Sequence, residues 1–186
     1  MQQGRLFYVV GASGVGKDTL MQYARDTLHD EQAILFAHRY ITRPADAGGE
    51  NHVALTAAEF DVRKRHGLFA MSWQSHGLHY AIGIEIDAWL SKGLTVVVNG
   101  SRAYIRTARR RYPAMSVVWI SAGPKLLAAR LARRGRESRA EIAERIARNS
   151  SVDVAPPGGA LHIRNDGPLE SAGGRLVAVL AGENPL

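Results

Sequence analysis

Short apolar runs alternate with stretches of helical periodicity along most of the chain. Four of the runs are continuous rather than alternating, which is typical of strands buried on both faces. In the stretch Lys17–Leu28, by contrast, Leu20, Ala24 and Leu28 recur at helical spacing. Strands that alternate with helices in this way predict an α/β fold with a parallel sheet covered on both faces. The continuous runs span residues 5–10, 33–37, 94–98 and 116–121.

Capping and turn residues mark the other predicted elements. Two capping boxes, Thr56-x-x-Glu59 and Ser138-x-x-Glu141, predict helices that run to about residues 66 and 149. The loops over 42–52 and 153–159 are rich in proline, glycine and polar residues. Further helices are predicted over 83–90, 101–111, 124–134 and 172–180, with an edge strand over 161–164.

Composition narrows the classes of function. With 186 residues, of which 46% are hydrophobic, the chain has room for one domain with a sizeable core. The absence of cysteine excludes disulfides, thiolate nucleophiles and cysteine-ligated zinc. The apolar run near the amino terminus is too short for a signal peptide or a membrane span. We therefore expect a cytoplasmic protein without a membrane partner.

The formal net charge of +7 favours an anionic partner. Nucleic acid is one interpretation, but aromatic residues make up only 7% of the chain and no RNP, zinc-finger or basic-zipper motif is present. A small, multiply phosphorylated molecule fits better, so we expect no nucleic-acid partner. The sequence does not decide between a monomer and a homodimer.

Residues 11–19 carry the phosphate-loop pattern G-x4-G-K between a predicted strand and a predicted helix. Glycines let successive backbone N–H groups point at phosphate oxygens, and the helix amino terminus adds partial positive charge. Lys17 would reach the β- and γ-phosphates of ATP. The predicted nucleotide-binding residues are Gly11, Ala12, Ser13, Gly14, Val15, Gly16, Lys17, Asp18 and Thr19. Since ligands bind at the carboxyl ends of parallel strands, this loop should share one rim with residues 99–102 and Ser121.

Asp18 departs from the usual phosphate-loop pattern, in which Ser or Thr follows the lysine and holds Mg²⁺. A carboxylate is also a hard oxygen ligand, and it could approach Mg²⁺ directly or through water. The alternative is a first-turn acid that only interacts with the helix dipole. We favour Asp18 as the metal ligand.

Several segments together resemble the guanylate kinase superfamily over about residues 5–170. They are the phosphate loop, Thr42-Arg43-Pro44, Tyr80 and Arg130-x-x-x-Arg134-Gly135. The resemblance implies a P-loop fold of three layers around a central parallel sheet. It also implies, within one kinase domain, an acceptor-binding subdomain near 38–83 and a mobile lid near 131–140.

Other positions do not fit a guanylate kinase. The stretch Leu68–Trp73 lacks the acid that would pair with guanine, and each unpaired guanine donor would cost about 1–3 kcal/mol. The second arginine of the T-R-x-P segment is missing, and the Y-G-[ST] triplet is Tyr80-Ala81-Ile82. An aspartate pair is replaced by Asn99-Gly100-Ser101. A guanine acceptor is therefore disfavoured.

The motifs are more similar to the ribose 1,5-bisphosphate phosphokinases of phosphonate catabolism. The similar elements are Lys17-Asp18-Thr19, residues 48–52 (GGENH), Asn99-Gly100-Ser101-Arg102 and Asn165-Asp166. That family transfers the γ-phosphate of ATP to the 1-phosphate of ribose 1,5-bisphosphate and produces 5-phosphoribosyl 1-diphosphate (PRPP). The resemblance implies this reaction, with ATP and Mg²⁺. Because the acceptor phosphate is already anionic, it needs no general base, and catalysis reduces to positioning and charge neutralisation.

An acceptor with two phosphates and no base requires arginines and groups that recognise hydroxyls. Arg39, Arg43 and Arg102 are predicted to clamp phosphate, and Glu50 and its neighbours to bind ribose hydroxyls. His52 could equally be a solvated loop residue, and Tyr80 either donates to a phosphate or packs. The predicted substrate-binding residues are Arg39, Arg43, Glu50, Asn51, His52, Tyr80, Asn99, Ser101 and Arg102.

Three further arginines are predicted to join Lys17 in catalysis. Arg130 and Arg134 lie four residues apart, hence on one helical face, and Arg145 lies on the next predicted helix. Their superfamily positions imply that they approach adenine and the transferring phosphoryl group after lid closure. For Arg145 the alternative is an ordinary surface pair with Glu141.

Two other functions stay open at this stage. One is a nucleoside monophosphate kinase of unusual specificity, and the other is a non-enzymatic guanylate-kinase-like interaction module. The intact phosphate loop argues against the module, because such modules usually lose it.

Overall fold

The computed structural model describes residues 4–47, 50–133 and 156–183, which form two sheets with helices packed around the larger one. The strands are β1 (Arg5–Gly11), β2 (Ile34–Phe36), β3 (Arg39–Ile41), β4 (Val53–Ala54), β5 (Phe69–Ser75), β6 (Leu78–Gly83), β7 (Thr95–Asn99), β8 (Ser116–Ser121) and β9 (Leu161–Arg164). The helices are α1 (Lys17–Thr27), α2 (Ala57–Arg65), α3 (Glu85–Ser91), α4 (Ile105–Arg111), α5 (Pro124–Arg133) and α6 (Leu169–Ala181).

The larger sheet has five parallel strands in the order β2-β7-β1-β8-β9. Alternate residues of β1 enter two different cores, as expected for a strand buried on both faces. Phe7 and Val9 pack with α1, α5 and α6, whereas Tyr8 and Val10 pack on the opposite side with α3 and α4. This arrangement confirms the predicted α/β class with its central parallel sheet.

The smaller sheet has four strands in the order β4-β3-β6-β5, with β3 and β5 antiparallel to β6. Its inner face, with Met71 and Ile82, joins the core under the larger sheet. On the outer face, Phe60 of α2 packs in a cluster with Tyr40 of β3 and Phe69 of β5. The shared core therefore packs the smaller sheet against the larger one.

The four strands of the smaller sheet were not predicted from the hydrophobic pattern. In β5 and β6 apolar side chains face both the inner and the outer core, so neither strand alternates cleanly. Their two-residue turn is His76-Gly77, with φ of 49° and 75°, rather than Asn-Gly. The helix predicted over 83–90 begins only at Glu85, because Gly83 is the last residue of β6.

The other predicted elements agree with the structure within one to three residues, except where noted. The capping box of α2 is complete, since Glu59 N donates to Thr56 Oγ1 at 3.1 Å and Thr56 N donates to Glu59 Oε2 at 2.9 Å. The stretch predicted as one helix over 101–111 is a 3₁₀ turn followed by α4. The capping box at Ser138 lies outside the described residues. None of the described helices is long and apolar enough to cross a membrane.

Candidate active site

The carboxyl ends of the five parallel strands bring distant parts of the sequence to one rim. β1 ends at Gly11, β7 at Asn99 and β8 at Ser121, while Asn165 follows β9. Because all five strands run in the same direction, these residues share one edge of the sheet. The rim therefore contains the phosphate loop and the Asn99–Arg102 segment, as predicted.

The phosphate loop depends on glycines at two left-handed positions. Gly14 has φ of 88° and Gly16 has φ of 86°, a backbone conformation that residues with a side chain rarely adopt. A Cβ atom on Gly14 would lie 2.9 Å from Leu127 Cδ1 of α5. One on Gly16 would lie 2.6 Å from Asn165 Nδ2. The loop is thus pressed between helix α5 and the end of β9.

Two side chains hold the phosphate loop through the carbonyl oxygen of Val15. Asn165 Nδ2 donates to it at 2.7 Å and Arg130 Nη1 donates at 3.1 Å. Asn165 itself is buried, and its own N–H donates to Ser121 O at 2.8 Å. Arg130 is predicted from the sequence to be catalytic. In this structure its guanidinium contacts the loop through the Val15 carbonyl oxygen.

Asn165 and the neighbouring Asp166 were missed as site residues and appeared only among the features of the family resemblance. Asp166 Oδ1 accepts the N–H of Gly123 at 2.6 Å, just before α5 begins. That hydrogen bond is the main reason why the pKa of Asp166 lies below its ordinary value. Their signal in the sequence is two polar residues directly after a predicted strand, at the rim where ligands bind.

Lys17 and Asp18 meet Asn99 at the mouth of the loop. Lys17 Nζ donates to Asp18 Oδ1 at 3.1 Å and to Asn99 Oδ1, while Asn99 Nδ2 donates to Asp18 Oδ1 at 3.0 Å. Burial lowers the pKa of Lys17 and outweighs the opposing effect of Asp18, while Arg39 lowers it further. A buried ammonium of this kind gains stability when a polyphosphate binds beside it.

Asp18 has the properties expected of a ligand for a hard cation. Burial raises the pKa of Asp18, but Lys17, Arg39 and the Asn99 hydrogen bond outweigh it and lower the pKa to about 2. The carboxylate is therefore ionised at neutral pH, and 46% of the side chain is exposed. No cluster of three or more His, Cys, Asp or Glu side chains forms among the described residues. If Mg²⁺ binds at Asp18, its other ligands would be phosphate oxygens and water, as is usual for this ion.

Glu50 extends the polar network from the phosphate loop to the smaller sheet. Asn99 Nδ2 donates to Glu50 Oε2 at 3.0 Å. Arg39 Nε donates to the same oxygen at 2.8 Å, and Arg39 Nη2 donates to Glu50 Oε1. The two side chains are only 13% and 11% exposed, so this is a largely buried bidentate pair.

Aromatic rings support Arg39 from the smaller sheet. The Arg39 guanidinium lies over the Tyr80 ring, 5.0 Å from its centroid. Tyr80 stacks on Trp73 at 5.8 Å with an interplanar angle of 5°, and Trp73 contacts Tyr104 at 5.6 Å. In this structure Tyr80 packs, which was one of its two predicted roles.

Arg43 lies in the loop that connects β3 to β4. The preceding Thr42 is held by β6, since His79 N donates to Thr42 Oγ1 at 2.9 Å and Thr42 N donates to His79 O at 3.1 Å. Arg43 Nη2 is 3.3 Å from His52 Nδ1, and His52 Nε2 is 3.2 Å from Arg43 O. Arg43 Nε is buried and has no hydrogen-bond partner among the described residues. An unpaired buried donor is costly unless a ligand completes it.

The segment after Asn99 is fixed by Tyr8. The Ser101 N–H donates to Tyr8 Oη at 2.9 Å, and a Cβ atom on Gly100 would lie 2.2 Å from the Tyr8 ring. Gly100 is therefore needed so that the backbone can lie on the ring. Half-buried Arg102 begins the 3₁₀ turn that follows.

Two of the predicted site residues, Asn51 and Thr19, are exposed. Asn51 is exposed and its Nδ2 lies 3.2 Å from His38 Nε2, away from Glu50's pair. Ala12 and Ser13 are part of the phosphate loop, and Thr19 is an exposed residue of α1. Predicted residues outside the described part are Arg134 and Arg145, together with Gly48 and Gly49 and most of the predicted lid.

The fold and this rim define a P-loop kinase of the guanylate kinase architecture. A guanylate kinase from Anaplasma phagocytophilum superposes with a TM-score of 0.63, at 16% identity, over 100% of this chain and 88% of that one. Curated relatives are far more similar in sequence. A ribose 1,5-bisphosphate phosphokinase PhnN from Thiobacillus denitrificans is 52% identical over 181 residues, which is 97% of this chain and 95% of that protein. Another from Burkholderia pseudomallei is 54% identical over 183 residues, 98% of each protein.

The chain belongs to the ribose 1,5-bisphosphate phosphokinase family. The family and the kinase activity predicted from the sequence are thereby confirmed. No family model matches the chain.

Proposed function

We propose that this protein transfers the γ-phosphoryl group of ATP to the 1-phosphate of ribose 1,5-bisphosphate, producing PRPP and ADP. The observation that carries the proposal is one continuous network from Lys17 and Asp18 through Asn99 to Glu50 and Arg39. It joins the phosphate loop to an arginine and a carboxylate on the side of the smaller sheet. The stretch Leu68–Trp73, where a guanine-binding acid would be expected, contains no acid. The names of the relatives support the same acceptor.

In the proposed reaction an oxygen of the acceptor 1-phosphate attacks the γ-phosphorus of ATP. The bond from that phosphorus to the β,γ-bridging oxygen breaks, and the electron pair leaves with ADP. Lys17 follows the charge from the γ-phosphate onto the leaving β-phosphate. Mg²⁺, when bound, would neutralise charge on the β- and γ-oxygens, with Asp18 as its protein ligand.

Two different side chains are suited to bind the phosphate and the sugar hydroxyls of the acceptor. Arg43, with its unpaired buried Nε, is suited to bind an acceptor phosphate. Glu50 is suited to accept hydrogen bonds from ribose hydroxyls, because Arg39 and Asn99 hold its carboxylate in place. Arg39 is already paired, so we assign it to orienting Glu50 rather than to clamping phosphate.

The substrate is tested by an ADP-release assay with ATP and Mg²⁺ and four acceptors in turn: ribose 1,5-bisphosphate, GMP, AMP and CMP. We expect turnover with the ribose bisphosphate and little with the nucleotides. A large preference for GMP would reject the acceptor assignment and favour a nucleoside monophosphate kinase.

The mechanism is tested by Lys17→Ala in the same assay. We expect kcat to fall by about 100-fold or more, because a charge that follows the transferring phosphoryl group is lost. A surface lysine of α2, changed as Lys64→Ala, is the matched control and should keep wild-type turnover. Unchanged turnover of Lys17→Ala would reject the phosphate-loop mechanism.

A further inference from the structure

Asn99 lies between the nucleotide side and the acceptor side of the proposed active site. It is the last residue of β7, a central strand of the five-stranded sheet, and only 4% exposed. Its carbonyl oxygen accepts from Lys17, and its amide nitrogen donates to both Asp18 and Glu50. Both amide protons and the oxygen are therefore used, which fixes the orientation of the side chain.

The amide also separates two carboxylates. Asp18 Oδ1 and Glu50 Oε2 each lie 3.0 Å from Asn99 Nδ2. They are therefore no more than about 6 Å apart, a distance at which like charges repel, and the amide donor between them offsets part of that repulsion. Turning the amide over would place its nitrogen against Lys17 and its oxygen against both acids. Only an amide in this orientation satisfies all three neighbours.

We propose that Asn99 is a positioning residue that couples occupancy of the nucleotide site to occupancy of the acceptor site. The inference rests on the proposed function, because it takes Lys17 to the nucleotide and Glu50 to the acceptor sugar. A phosphate beside Lys17 competes with Asn99 for the ammonium, and the change in that hydrogen bond reaches Glu50 through the same amide. Because β7 is hydrogen-bonded to a strand on each side, Asn99 itself stays in place and sets the separation of the two ligands.

Coupling of this kind is measurable and reciprocal. Isothermal calorimetry would give the Kd of a non-hydrolysable ATP analogue with Mg²⁺, alone and with saturating ribose 1,5-bisphosphate, and then the reverse titration. For the wild type we expect each ligand to bind about 10-fold more tightly when the other is saturating than when it is absent, with the same factor in both titrations. A wild-type factor of one would overturn the inference.

Two variants of the same residue test the role of the amide. Asn99→Leu removes every polar contact, whereas Asn99→Asp keeps an acceptor for Lys17 and loses the donors to Asp18 and Glu50. In both, we expect the coupling factor to fall to nearly one and kcat to fall by about 100-fold, because the reacting groups are no longer aligned. The affinity for either ligand alone should fall by at most about 10-fold, which is the value of one hydrogen bond.

The matched control is Thr95→Val at the opposite end of the same strand. Thr95 is also buried and polar, and its hydroxyl accepts from Arg5 Nε at 3.3 Å and Nη2 at 3.2 Å. This variant should lose stability and keep the coupling factor. If Asn99→Leu does not fold, Asn99→Asp, which has nearly the same shape, still decides the matter. Retained coupling in a folded Asn99 variant would overturn the inference.

Failure of the proposed function would give a different result. The wild type would then turn over another acceptor in preference to ribose 1,5-bisphosphate. The coupling factor is measured with that acceptor in the same way, so the role of Asn99 is accepted or rejected independently.

Discussion

At the residue scale, the site combines charges that are already paired with one donor that is not. Arg39 is held by Glu50 and supported by Tyr80, while Lys17 is held by Asp18 and Asn99. Arg43 has a buried Nε without a partner among the described residues. Under the proposed function, Arg43 is therefore the residue whose new hydrogen bond would contribute most to acceptor binding.

The role of Arg43 can be tested with Arg43→Lys. We expect the KM for the acceptor to rise by about 10- to 100-fold while the KM for ATP stays unchanged, because lysine keeps the charge and loses the planar donors. Arg63→Lys is the matched control, since Arg63 lies over Tyr40 on the other side of the smaller sheet. An acceptor KM equal to that of the wild type would show that Arg43 does not bind the acceptor.

The carboxylate of Asp18 predicts a pH dependence of stability. Its pKa of about 2 in the fold is below the ordinary value of 3.8, so the fold favours the ionised form. Its contribution is present above about pH 4 and is lost as the pH falls through 2. Chemical unfolding of the wild type and of Asp18→Asn should therefore differ by a constant amount above pH 4, and the wild type should lose its advantage towards pH 2. A difference that is independent of pH down to 2 would contradict the assignment.

At the scale of elements, strand β9 determines the shape of a loop about 150 residues earlier in the chain. Asn165 donates to the Val15 carbonyl, and Asp166 holds Gly123 at the start of α5. The phosphate loop is thus a joint product of β1, α5 and the end of β9.

Asn165→Leu tests this support. We expect the KM for ATP to rise by about 10-fold, the value of one buried hydrogen bond, and the KM for the acceptor to stay unchanged. Arg164→Ala, at the last residue of β9, is the control, because the Arg164 side chain is 71% exposed and pairs with Asp166 rather than with the phosphate loop. Steady-state kinetics that leave the ATP KM of Asn165→Leu at the wild-type value would assign Asn165 to packing alone.

Local signals in the sequence were sufficient for some of these features. The phosphate loop is contiguous, and β1, β7 and β8 each have a continuous apolar centre, so the fold class and the place of the loop at the rim could be predicted. The smaller sheet could not, because β5 and β6 present apolar residues to two cores and turn at His76-Gly77. The Arg39–Glu50 pair and the Asn165–Val15 contact depend on strand order, which no local pattern carries.

At the scale of the whole molecule, the ligands proposed here would bridge the phosphate loop and the smaller sheet. Nucleotide binding should therefore stabilise the fold as a whole. With the Mg²⁺ complex of a non-hydrolysable ATP analogue at about 100 times its Kd, we expect about 2.7 kcal/mol of stabilisation and a rise in Tm of roughly 5–10 °C.

Removing the metal provides the control for this measurement. With EDTA in excess, the same analogue should raise Tm by much less, because Lys17 alone then offsets the repulsion between the triphosphate and the ionised Asp18. An equal rise in Tm with and without Mg²⁺ would contradict the metal role of Asp18.

The short connections between the two sheets have a practical consequence. Only Ala37 and His38 join β2 to β3, and only Ile84 joins β6 to α3. The entire smaller sheet is therefore a contiguous cassette with two narrow junctions. Grafting it from a homologue, with the cuts placed at those junctions and Asn99 left in the recipient, would exchange Arg39, Arg43 and Glu50 together and leave the sequence of the phosphate loop unchanged.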